Sequence, residues 1–98
     1  MNGSSDDSPP TDALARFRDE IEQIDDEIVA LITRRMALGK QTGQIKRDAN
    51  LPIQDPEREA AVIRHVAEVA RQAGLPVEPV REVFWQIVAM SRRAQEFE

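Results

Sequence analysis

Residues 11–48 read TDALARFRDEIEQIDDEIVALITRRMALGKQTGQIKRD, and this stretch decides the fold. No proline interrupts it, and its only glycines are Gly39 and Gly43. Leu14, Phe17, Ile21, Ile24, Ile28, Leu31, Arg35, Leu38, Thr42 and Ile45 succeed one another in alternating steps of three and four. Such steps keep returning to one side of an α-helix, so the row is a heptad-like packing seam. Arg35 and Thr42 are its polar members. Thr11 reads as the N-cap, with Asp12 in the first turn, where a negative charge suits the helix dipole.

Upstream, residues 1–10 (MNGSSDDSPP) are too poor in apolar groups to pack and read as a disordered tail, leaving 11–98 as one helical domain. Downstream, Ala49 to Gln54 reads as a loop, because Pro52 pushes the residue before it out of helical geometry. Asp55-Pro56 restarts a helix, pairing a favoured N-cap with a proline at the first position. That second helix is expected to run to about Ala73, with Gly74 as its left-handed terminator. A third helix is expected from near Pro79 to about Phe97, with Val80, Val83, Phe84, Ile87 and Val88 as its apolar face. Trp85 reads as core and the lone His65 as a half-buried packing residue. No strand candidate and no internal repeat are found. The expected fold class is all-α, one long helix plus two shorter ones.

Composition narrows the function. The 98 residues carry 13 Lys+Arg against 18 Asp+Glu, a net charge of −5, which disfavours nucleic acid and anionic membrane as partners. There is no cysteine and a single histidine, which removes disulfide and thiolate chemistry and almost any zinc site, so no metal is expected. No apolar run approaches the roughly 20 residues that span a bilayer. The N-terminus lacks the basic start and apolar core of a signal peptide. A soluble protein of a reducing compartment, the cytoplasm, is expected.

Helix one, about 36 residues, should measure roughly 54 Å, while a compact chain of this length is only about 30–35 Å across. Helices of about 19 residues cannot cover such a seam, and the uncovered part would expose a contiguous apolar stripe. A homodimer in which the long helices pair resolves the mismatch. The alternative is a helix bent or broken near Gly39.

Polar residues on the apolar faces carry the chemistry. Arg35, Gly39, Thr42 and Lys46 lie at i, i+4, i+7 and i+11, a rotation that returns to within about 20° after three turns, so two cations point the same way with small side chains between them. That suits the floor of an anion pocket, or, more plainly, two cations snorkelling from a rim beside a close helix crossing. On helix two, Arg58, Val62, Val66 and Val69 share one stripe and Glu59, Ile63, Val66 and Ala70 another, which puts Arg58 and Glu59 at the mouth of its apolar side. Taken alone, a capping role for both, with Arg58 pairing with Asp55, explains them better. Ser91 and Gln95 extend the face of helix three, as cavity lining or as an ordinary polar helix end. Together the set suits a small dianion with a hydroxyl. It offers no Ser–His pair for hydrolysis, and best supports electrostatic stabilisation of a rearrangement within one bound molecule.

Several segments in order carry a resemblance: Phe17-Arg18-Asp19-Glu20-Ile21 with Ile24-Asp25, Arg34-Arg35 followed by Lys46, Pro52-Ile53-Gln54-Asp55-Pro56-Glu57-Arg58-Glu59, and Ser91 with Gln95. The chain resembles the all-α chorismate mutases of the shikimate pathway, small intertwined three-helix dimers, from Leu14 to Gln95. The resemblance implies conversion of chorismate to prephenate by a Claisen rearrangement, without cofactor or covalent intermediate, in aromatic amino acid biosynthesis. By position it implies that Arg35 grips one substrate carboxylate and that Arg18, from the other subunit, helps hold the carboxylates. Lys46 and Gln95 would donate to the ether oxygen, Asp55 and Glu59 would address the ring hydroxyl, and Arg58 and Ser91 would complete the site. Helix geometry agrees on one point: Arg18 lies about 25 Å from Arg35 along the axis and roughly 100° off its face, so one chain cannot bring both to one pocket.

Two related activities share the resemblance. A mutase acting on 4-amino-4-deoxychorismate fits because carboxylates also accept from an amine. Isochorismate pyruvate-lyases fit less well, because they lack the acidic pair that Asp55 and Glu59 provide. A non-catalytic helical dimerisation module would explain the seam but not its polar members. With no regulatory domain in the chain, feedback control would fall to an activating or fused-pathway partner enzyme.

Overall fold

The computed structural model describes residues 9–96, and all its regular structure is helical: α1 (Pro10–Asp48), α2 (Pro56–Gln72) and α3 (Val77–Glu96). No strand occurs among the described residues. The chain divides into two compact units, Met1–Leu31 and Ile32–Glu98.

In the described part of the first unit the chain is a stretch of α1 whose apolar residues face solvent. Phe17 is 57% exposed and Ile21 56%, and Leu14, Ile24, Ile28 and Leu31 are comparably open. The helix begins one residue before the expected cap: Pro10 is its first residue and Thr11 lies inside it, with the Asp12 N–H donating to the Pro9 carbonyl at 2.9 Å. A proline at the first helical position lacks only an N–H that had no partner anyway, so Pro10 serves better there than as tail. Of the expected tail, residues 1–8 lie outside the described residues, as does Phe97, the expected end of the third helix.

The second unit holds the rest of α1 with α2 and α3. Its core lies between α2 and α3, which pack on each other. Ile63, Val66, Ala67 and Ala70 of α2 and Ile87 and Val88 of α3 are the buried apolar residues. Their spacing along α2 is i, i+3, i+4, i+7, one face of a helix. Each large member contributes about 1.5–3 kcal/mol by leaving water. Of the two stripes readable on α2, the one through Glu59, Ile63 and Ala70 faces α3, and Val69 of the other is exposed. Three core expectations are corrected here. Trp85 is 46% exposed, Val83 is exposed, and His65 is exposed rather than half-buried. The buried direction of α3 runs through Ile87 and Val88, and Trp85 points away from it.

The ends of the helices have local causes. Asp55 caps α2, its Oδ1 accepting from the Arg58 N–H at 3.1 Å. After α2, Gly74 takes φ 76°. The Gly74 N–H donates to the Arg71 carbonyl at 3.2 Å and the Leu75 N–H to the Ala70 carbonyl at 2.9 Å, a Schellman termination. Asn50, at φ 59°, ends α1 in the same way, with Asn50 N–H to Arg47 and Leu51 N–H to Lys46. Asparagine tolerates the left-handed region better than most residues, so Asn50 terminates α1, whose last residue is Asp48, before Pro52 has any effect. α3 starts at Val77, two residues earlier than expected, and Pro79 falls within its first turn, where no N–H is needed.

Candidate active site

A cleft of about 340 Å³ opens within the second unit. From α1 it is lined by Arg35, Leu38, Gly39, Thr42 and Lys46; from the loop and α2 by Asp55, Arg58, Glu59 and Val62; from α3 by Val88, Ser91, Arg92 and Gln95. Seven of the residues singled out in the sequence, Arg35, Lys46, Asp55, Arg58, Glu59, Ser91 and Gln95, line this one cleft. The eighth, Arg18, is an exposed residue of the first unit and is not among the lining residues.

The floor depends on two glycines. A β-carbon on Gly39 would stand 2.9 Å from the Ser91 Oγ, and one on Gly43 would stand 2.8 Å from the Gln95 carbonyl oxygen. Both glycines are buried, so α1 and α3 meet almost backbone to backbone. This close crossing places Ser91 and Gln95 beside the α1 cations. The Lys46 Nζ donates to the Gln95 Oε1 and to the Ile53 carbonyl, each at 2.9 Å. Thr42 satisfies its own hydroxyl by donating to the Leu38 carbonyl at 2.9 Å, so it contributes bulk rather than a free donor.

The opposite wall is an ion pair that the sequence pattern did not single out. Arg92 donates to both oxygens of Glu59, from Nε at 3.0 Å and from Nη2 at 2.7 Å. The hydrogen bonds from Arg92, then its charge and that of Lys46, hold the Glu59 carboxyl below its ordinary value of 4.5, against the opposing effects of burial and of Asp55. Glu59 in return raises the pKa of Arg92. The cleft thus carries four cations, Arg35, Lys46, Arg58 and Arg92, against the carboxylates Asp55 and Glu59. Such an arrangement can take a small anion that also offers a hydrogen-bond donor. Arg92 was findable, since Val88, Arg92 and Gln95 are spaced i, i+4, i+7. Among the described residues no group of histidine and acidic side chains is placed to hold a metal ion.

Comparison with known proteins agrees with this geometry. The family model described as chorismate mutase type II matches residues 17–96. The bifunctional chorismate mutase/prephenate dehydratase of Aquifex aeolicus is 34% identical over 79 residues, 78% of this chain and 22% of that protein. The T-protein of Haemophilus influenzae is 35% identical over 72 residues, 74% of this chain and 19% of that protein. The chorismate mutase of Methanocaldococcus jannaschii is 36% identical over 59 residues, 60% of each chain. A solved structure, a conserved hypothetical protein from Pyrococcus furiosus, superposes with a TM-score of 0.70 at 33% identity, covering 90% of this chain and 99% of that one. The chain spans less than a quarter of the two longer relatives. The matched segment runs from the exposed seam of α1 through every residue that lines the cleft, and on that ground the chain belongs to the chorismate mutase type II family.

Proposed function

We propose that the protein is a chorismate mutase, converting chorismate to prephenate in aromatic amino acid biosynthesis. In this rearrangement the ether C–O bond breaks as a new C–C bond forms within the same molecule, and no proton or electron is exchanged with the protein. The task of the site is to hold the substrate folded and to stabilise charge that grows on the ether oxygen. Arg35 binds a substrate carboxylate, and Lys46 and Gln95 donate to the ether oxygen. Asp55 and Glu59 address the ring hydroxyl, whose one O–H is donated to one carboxylate at a time, and Arg58 and Ser91 complete the enclosure. No cofactor takes part. The observation that carries this reading is the gathering of Arg35, Lys46, Asp55, Arg58, Glu59, Ser91 and Gln95 on one cleft.

The working form in this proposal is an intertwined homodimer, with Arg18 reaching the partner's cleft to help hold the carboxylates. It is supported by the heptad-spaced apolar residues of α1 that stay open to solvent, among them Phe17, Ile21, Leu38 and Ile45. The amino analogue, 4-amino-4-deoxychorismate, would bring an ammonium to Glu59. Because Arg92 already matches that carboxylate, the neutral hydroxyl of chorismate suits the wall better. No helix among the described residues is long and apolar enough to cross a membrane, and a cytoplasmic location belongs to the same proposal.

The direct test is to mix purified protein with chorismate and follow loss of its diene absorbance and appearance of prephenate. Turnover that disappears in Arg35→Ala is expected. Absence of turnover by the folded parent protein would sink the proposal.

A further inference from the structure

Gln95 is the next to last residue of α3. The last carbonyls of a helix have no partner inside it, and such ends fray. A terminal turn is therefore a poor place to mount a side chain that must be held to within about half an ångström. Here the turn is gripped from α1. The Arg47 Nη1 donates to the Gln95 carbonyl oxygen at 2.6 Å, and its Nη2 donates to the Gln44 Oε1 at 3.2 Å. Gln44 is itself held, its Nε2 donating to the Asp48 Oδ1 at 2.9 Å. Gly43 lets α3 come close enough, since a β-carbon there would meet the Gln95 Cα at 2.9 Å. Lys46 then takes the side-chain oxygen. An ammonium has only donors, so the oxygen end of the amide must face it and Nε2 is the end left to the cleft.

We infer that Arg47 is a positioning residue for the reaction, acting from outside the cleft by clamping the backbone of Gln95. It does not line the cleft. Its planar fork spans the Gln95 carbonyl and Gln44 at once, which a lysine ammonium does not do. Its charge also suits the negative end of α3. Division of labour follows from the geometry: Arg47 and Gly43 fix where the terminal turn sits, and Lys46 fixes which way the amide points. The inference rests on the proposed role of Gln95 at the ether oxygen.

The test is a double-mutant cycle on the full chain, with chorismate as substrate. Arg47→Met keeps the aliphatic stem and removes the clamp. It should lower kcat by about tenfold or more with KM changed far less, because misplacement of a catalytic group costs rate rather than binding. In a Gln95→Ala background the same substitution should cost no more than about twofold, since the group it positions is gone. Equal losses in the two backgrounds would mean a general structural role and overturn the inference. So would an unimpaired Arg47→Met beside a crippled Gln95→Ala. If Gln95→Ala is itself fully active, the assignment of Gln95 fails first, and the positioning role falls with it. Nitrogen-15 relaxation of the Gln95 backbone amide reads the clamp without any turnover. The amide should be ordered in the parent and mobile in Arg47→Met, and equal order in both would overturn the inference. Should Arg47→Met fold poorly, Arg47→Lys, which keeps the cation but not the fork, carries the same comparisons with a smaller expected loss.

Discussion

Arg92 grips both oxygens of Glu59 across the α2–α3 interface, where the stripe of Ile63 and Val66 leaves the apolar core and enters the cleft. The pair sits on the same faces as the core and continues it in polar form. Its pH behaviour follows from the lowered pKa of Glu59. On acidification the unfolded chain takes up a proton at Glu59 near the ordinary value of 4.5, before the folded chain does. The stabilisation is therefore fully present above that pH and is lost as the pH falls through the lower, folded value. Thermal melts of the parent and of Arg92→Met from pH 6 down to pH 3 should converge at the acid end. A constant gap between the two curves would show that the pair does not act through ionisation of Glu59.

Asp55 has two roles that one substitution separates. Its carboxylate caps α2 through the Arg58 N–H and also lines the cleft. Replacing such a cap by alanine costs about 1 kcal/mol, whereas serine caps nearly as well. Asp55→Ser is therefore expected to melt close to the parent while kcat/KM toward chorismate falls at least about tenfold, a single lost charged hydrogen bond being worth that much. Intact activity would leave only the cap.

The two buried glycines of α1 differ in what stands opposite. Alanine at Gly39 meets the Ser91 Oγ, a hydroxyl that can rotate away. Alanine at Gly43 meets the carbonyl and Cα of Gln95, backbone that cannot. Both gain about 1 kcal/mol of helix propensity, but overpacking costs about 1–3 kcal/mol. Gly39→Ala should melt at or above the parental temperature and Gly43→Ala below it. The reverse order would mean the helix crossing is looser than these distances imply.

Much of this was legible in the sequence, and the failures have physical reasons. Arg35, Gly39, Thr42 and Lys46 lie on one cleft because helical spacing alone aligns them. Asp55-Pro56 and Gly74 mark their helix ends through local chemistry that needs no tertiary context. Spacing sets Arg92 on the face of Val88 and Gln95, but the partners of Arg92 and Arg47, Glu59 and Gln95, lie on other helices, and only packing says which helix faces meet. Trp85 was misread as core because a large apolar side chain shows that burial would be favourable, not that a partner stands on its side of the helix.

Composite sites make a prediction that no single-chain site would. Arg18→Ala and Arg35→Ala proteins should each be inactive. After mixing and subunit exchange, heterodimers would pair one intact cleft with one doubly damaged, restoring about a quarter of the parental sites. Exchange verified by mass spectrometry without any return of activity would confine the site to one chain.

The last prediction concerns Gln95 as donor. A neutral amide donates its N–H at any ordinary pH. Glutamate at the same position is nearly isosteric but, when ionised, only accepts, and it would repel the negative charge growing on the ether oxygen. Lys46 Nζ lies 2.9 Å from the present Oε1 and would form an ion pair with the carboxylate, holding its pKa down. Gln95→Glu is therefore expected to be at least about a hundredfold less active at neutral pH, the size of loss seen when one oxyanion donor is removed. Activity should return only in fairly acidic buffer, as the carboxyl protonates and becomes a donor, while the parent shows no such acid preference. The measurement is kcat/KM against pH for both proteins, with circular dichroism showing that each remains folded across the range. A variant as active as the parent at neutral pH would mean that Gln95 does not touch the ether oxygen, and the end of α3 would have to be removed from the catalytic assignment.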